Sequence, residues 1–165
     1  MAGWKGHVVG GLASVTIYTL AVSFGPVERL AELAGFLHNW HVSVAVFIIG
    51  LLFAIFPDVD TNSKAQDLFF GMIFLLDVLL IANGYIQVAA YLGLMAMLPI
   101  ISHHRGWTHE IWAMFIVPLP VLLVPYLYNS SLLLISIIYY GAAVVGYFSH
   151  LFFDGLIWRK ISRRY

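Results

Sequence analysis

No cysteine occurs among the 165 residues, which excludes disulfide scaffolds, cysteine-zinc sites and thiol catalysis. Charge is scarce too. Asp, Glu, Lys and Arg make up 10% of the chain, against about 25% in ordinary soluble domains. Eight acids balance eight bases, so no basic excess draws nucleic acid and no nucleic-acid partner is expected. There is no internal repeat and no low-complexity tract.

What is present is apolar. Hydrophobic residues reach 62%, where soluble domains carry roughly 45–50%. A domain of this size still exposes much of its surface, so one core cannot hide that many apolar side chains. A soluble monomer is excluded, and a bilayer is the solvent that suits. The expected architecture is all-α: a single transmembrane domain over residues 1–165, built as an integral membrane bundle of about six helices.

A spanning helix needs about 20 apolar residues. Six stretches come close: 8–24, 42–56, 67–82, 85–101, 111–128 and 132–153. Asn83-Gly84 makes a tight turn between the third and fourth, and Asn129-Ser130-Ser131 parts the fifth and sixth. Pro118, Pro120 and Pro125 predict a fifth span that is kinked or partly irregular. Lys5 precedes the first run, but no small-residue cleavage site follows it, so the run reads as a retained span. Residues 26–37 carry Glu28, Arg29 and Glu32 on one face and Val27, Leu30, Ala31 and Leu33 on another, which predicts a short amphipathic helix at the interface. Trp4 and Trp40 suit the aromatic belt.

The positive charges set the topology. With six spans, Lys5, Lys64, Arg105, Arg159, Lys160, Arg163 and Arg164 share one side, and only Arg29 is opposite. The positive-inside rule makes that side cytoplasmic, with both termini inside. The C-terminal cluster is a topology anchor that also suits anionic headgroups.

The costly polar residues then fall into a pattern. His7 opens span one. Asp58 and Asp60 close span two. His103, His104 and His109 fill the turn between spans four and five. His150 and Asp154 end span six. Successive groups are two spans apart, so all meet at one membrane face. His38 and His41 fall at the other.

His150 and Asp154 are four apart and share a helical face, a spacing that suits two ligands of one metal. Asp58 and Asp60 flank one residue after Pro57, so both carboxylates can reach the same cluster. Imidazole with carboxylate suits zinc, manganese or iron(II). The expected cofactor is one or two divalent ions, zinc first and manganese second. Two ions about 3.5–4 Å apart would clamp an in-line displacement at phosphorus, with a metal-activated water as nucleophile.

These residues carry a resemblance. Gly6-His7, Pro57-Asp58-Val59-Asp60, His104-Arg105-Gly106-Trp107-Thr108-His109 and Gly146-Tyr147-Phe148-Ser149-His150-Leu151-Phe152-Phe153-Asp154 run in the order of the YdjM-like family. That family is labelled as LexA-binding, inner-membrane-associated and hydrolase-like with metal dependence. It is distantly similar to zinc-dependent phospholipase C enzymes. The resemblance implies a metal-dependent hydrolase of phosphoesters in a prokaryotic inner membrane, with membrane lipid as substrate. Glu110 departs from the small polar residue expected after the motif.

The candidate metal ligands are therefore His7, Asp58, Asp60, His104, His109, His150 and Asp154. The competing reading leaves them as hydrated helix-end residues. Arg105 is the candidate phosphate grip, because its planar fork matches phosphate oxygens; it could equally anchor the topology or pair with Asp58 or Asp60. Glu110 is a candidate general base, or a carboxylate favoured in a first helical turn. His103 reads as a neighbour. Thr108 and Ser149 either support ligands by hydrogen bonds or bond the backbone. Asp77, near mid-span, marks either a cleft or a hydrogen-bonded structural group. Gly50, Gly71, Gly93, Gly141 and Gly146 are expected at close helix contacts.

Two further readings remain. A divalent-metal or proton-coupled transporter would want polar groups through the membrane, and only Asp77 lies deep. A non-catalytic membrane protein would use the metal structurally.

Overall fold

The bilayer fixes the lengths of the elements. A 21-residue helix rises about 31 Å at 1.5 Å per residue, close to the thickness of the hydrocarbon core. The computed structural model describes residues 3–26, 28–59, 64–101 and 107–155, and its regular elements are all helical. They are α1 (Trp4–Phe24), α2 (Glu28–Leu37), α3 (Trp40–Ile55), α4 (Lys64–Ala82), α5 (Ile86–Ile101), α6 (Ala113–Ile116), α7 (Leu119–Tyr128) and α8 (Leu133–Phe153). Three 3-10 turns join them, at Phe56–Asp58, Trp107–His109 and Ser130–Leu132. No strand occurs among the described residues. The chain folds as an all-α membrane bundle.

Four stretches are long and apolar enough to cross a membrane: Trp4–Phe24, Trp40–Asp58, Lys64–Ala82 and Ser130–Phe153. The other two expected spans are shorter, Ile86–Met97 and Ala113–Tyr128. The fifth span is irregular, as one of the two expectations had it: it breaks into two helices. Helix α6 stops, Pro118 caps α7, and Pro125 lies within it. The expected amphipathic segment is α2.

Helices α1, α3 and α8 form the centre. In lipid, helix contact is driven by close van der Waals packing rather than by water exclusion, so small residues carry the interface. A Cβ on Gly146 of α8 would run into the backbone carbonyl of Gly50 on α3. A Cβ on Gly50 would strike Val15 of α1, and one on Gly11 would strike Ala54. Gly141 lies under the ring of Tyr18, whose hydroxyl donates to the Ile138 carbonyl at 3.0 Å. Gly71 meets no neighbour, and Gly93 faces only Asp77, so the packing role expected of those two is not seen.

Helices α4 and α5 form an antiparallel hairpin. Asn83-Gly84 turns it, with Gly84 at φ +83° where a side chain would be strained. The hairpin packs through Ala65, Phe69 and Ile73 and presents an apolar outer face, with Phe74 71% and Leu94 64% exposed. By returning the chain, it delivers Trp107–His109 to the end of the bundle where α3 stops. Hydroxyls in the spans bond back to their own helices: Thr16 to Leu12, Thr19 to Val15 and Ser136 to Leu132, each at 2.8 Å. Such bonds keep polar groups satisfied in lipid.

Candidate metal centre

The start of α1, the ends of α3 and α8 and the turn before α6 meet at one end of the bundle. Each brings a donor there for a local reason. His7 lies in the first turn of α1 and is buried. Pro57 has no N–H to continue α3, so the chain tightens into the 3-10 turn that carries Asp58. Gly155, at φ +67°, ends α8, and Asp154 sits at the cap one turn beyond His150. His109 closes its own 3-10 turn.

Every imidazole Nε2 approaches both carboxylates. His7 Nε2 lies 3.4 Å from Asp154 Oδ1 and 3.8 Å from Asp58 Oδ2. His150 Nε2 lies 3.6 Å from Asp58 Oδ1 and 3.7 Å from Asp154 Oδ2. His109 Nε2 lies 3.9 Å from the same two oxygens. These separations exceed hydrogen-bond length. Donors about 2.1 Å from a tetrahedral ion stand about 3.4 Å apart, so the spacing would suit atoms that share a cation.

Burial sharpens the point. His7, His150 and Asp154 are buried, and Asp58 keeps 24% of its side chain exposed. His7 Nδ1, His7 Nε2 and His150 Nε2 are buried with no hydrogen-bond partner among the described residues. A buried polar atom without a partner costs about 1–3 kcal/mol. Lone pairs beside two carboxylates fit a divalent ion, and that donor set suits zinc or manganese.

Supporting bonds orient two of the rings. His150 Nδ1 donates to the Ala54 carbonyl at 2.8 Å, which leaves Nε2 as the lone-pair nitrogen of the neutral ring. His109 Nδ1 is hydrogen-bonded to the Thr108 hydroxyl at 3.1 Å. The Thr108 carbonyl accepts from Tyr147 Oη, which ties the turn to α8. Ser149 donates to the Gly146 carbonyl at 2.7 Å, the backbone role rather than the ligand-supporting one. Ala54 and Tyr147 were not anticipated. A backbone carbonyl has no residue signature, and Tyr147 stands in the Gly146–Asp154 string with nothing to mark its hydrogen-bonding role.

Five of the expected ligands therefore converge: His7, Asp58, His109, His150 and Asp154. They overlap in two donor groups, His7 with His150 and Asp154, and Asp58 with His109 and His150. Asp60, His103, His104 and Arg105 lie outside the described residues, as does the basic cluster from Arg159 to Arg164. Glu110 follows His109 half-buried and belongs to neither group. Asp77 lies along α4, with Oδ1 buried and without a hydrogen-bond partner among the described residues. His38 and His41 lie where α2 meets α3, at the other end of α3 from Asp58.

No curated protein and no solved structure matches the chain. A family model described as YdjM inner membrane protein matches residues 1–161. With nearly the whole chain matched, the protein belongs to the YdjM inner membrane protein family.

Proposed function

We propose that the protein is a membrane-embedded, metal-dependent hydrolase, acting on a phospholipid or another lipid phosphoester at the cytoplasmic face. The observation that carries this reading is the convergence of three imidazoles and two carboxylates from four separate segments, with buried nitrogens aimed at carboxylate oxygens. His7, Asp58, His109, His150 and Asp154 would hold one or two divalent ions, zinc first and manganese second. Held by these residues, a divalent ion would supply Lewis-acid chemistry, polarising a phosphoryl oxygen and lowering the pKa of a water to about 7.

The chain's own residues supply the rest. Thr108 and Ala54 hold two imidazoles in the ligating orientation. Asp58, the more open carboxylate, lies on the side a substrate would approach. Trp107 and Trp112 stack near His109 with centroids 6.0 Å apart, and Trp4 opens α1. Tryptophans favour the headgroup level, where a lipid phosphate lies. Lys5 and Lys64 start α1 and α4 at this end, which supports a cytoplasmic placement. Arg105 is the proposed phosphate grip and Glu110 the proposed general base.

The test is purification in detergent without chelator, then elemental analysis and a phospholipid hydrolysis assay. Bound divalent metal is expected, with hydrolysis lost on chelation and restored by zinc or manganese. Protein that carries no divalent ion and gains no stability from added zinc or manganese would overturn the reading.

A further inference from the structure

The rings of His7 and His150 stack with centroids 3.8 Å apart and planes 15° from parallel. An imidazole lone pair lies in the plane of its ring. Two nearly parallel planes at that separation converge only far outside the cluster. The in-plane lone pairs of His7 and His150 therefore run side by side rather than converging, although the two rings share one donor group with Asp154. They suit two ions side by side, and the 3.8 Å ring separation is of the same order as the roughly 3.5–4 Å between the ions of two-metal centres.

The carboxylates divide along the same line. His7 faces Asp58 Oδ2 and Asp154 Oδ1. His109 and His150 face the other oxygen of each, Asp58 Oδ1 and Asp154 Oδ2. Each aspartate thus offers one oxygen to either side.

From the ring planes and the oxygen pairing we infer a binuclear centre bridged by Asp58 and Asp154, with His7 serving one ion and His109 and His150 the other. The inference rests on the reading that the cluster binds metal, and it adds the number of ions and the division of ligands. The two positions are unequal. One has a single imidazole from the described residues and the other has two.

The test uses manganese(II) alone as the probe. The detergent-purified full chain is titrated by calorimetry, and its electron paramagnetic resonance spectrum is recorded at saturation. Two ions per chain with an exchange-coupled spectrum are expected. His7→Ala is expected to bind one ion per chain and to show the spectrum of isolated ions. One ion per wild-type chain, with an isolated-ion spectrum, overturns the binuclear assignment and leaves the hydrolase reading standing. No binding at all overturns both. The wild-type spectrum decides the matter even if His7→Ala does not fold.

Discussion

His150 is tied to Ala54 across 96 residues of sequence, its Nδ1 donating to the Ala54 carbonyl at 2.8 Å. The acceptor is free to do this because α3 is ending. The last carbonyls of a helix lack partners from the next turn, and Pro57 removes one donor outright. One bond thus satisfies a helix end and fixes a ring. His150→Ala is expected to remove both a fully buried ring and the partner of that carbonyl. Metal content should fall by at least one ion per chain and thermal stability should drop, with a cost of about 3 kcal/mol. His150→Gln, tested in the same melt, should recover part of the packing and not the lost metal.

Thr108 and Tyr147 support His109 from behind. Thr108→Val keeps the shape and removes the hydroxyl. Losing such a supporting bond typically costs 10–100-fold in metal affinity. A competition titration with a coloured zinc chelator should show that loss, and the melting temperature should change little.

The contact of Gly146 with Gly50 lies one turn from His150 on α8. In Gly146→Ala the new methyl would press on backbone, which cannot rotate away. The expected loss is about 2 kcal/mol or more, read as earlier unfolding in detergent. Gly71→Ala meets nothing within contact range and should be neutral in the same assay.

The chain has no cysteine, so single cysteines report topology without background. Lys64→Cys, at the start of α4 on the metal-centre end, should react with an impermeant maleimide only after the inner face is opened. Ser131→Cys, before α8 at the far end, should react in intact cells. The reverse pattern would place the centre outside.

Asp77 distinguishes hydrolysis from transport. It lies outside both donor groups, so Asp77→Asn should leave metal content and lipid turnover unchanged. Metal uptake into sealed vesicles, lost in Asp77→Asn, would favour the transporter reading.

Much of this was legible in the sequence because polar residues are costly in lipid. Their spacing by pairs of spans brought His7, Asp58, His109, His150 and Asp154 to one end without knowledge of helix neighbours. The prolines marked the fifth span, although not its division into α6 and α7. The neighbours themselves were hidden. Lipid and protein interior are both apolar, so hydrophobic patterning cannot say which face of α1 meets α8. Glycines are ambiguous for the same reason, as the contrast between Gly146 and Gly71 shows. The Ala54 carbonyl could not be read because every residue has one.

The helix pair that closes the centre also bears on how the protein is made. Tyr18 of α1 bonds to Ile138 of α8 across 120 residues, and His7 and Asp154 are contributed by those same two helices. During synthesis α1 and α3 enter the membrane long before α8 exists to cover them. The candidate metal centre is thus completed only when α8 arrives, and a chain stalled before α8 has His7, Asp58 and His109 without His150 and Asp154. If the centre binds metal as proposed, metal capture would report the seating of α8 against α1 and α3.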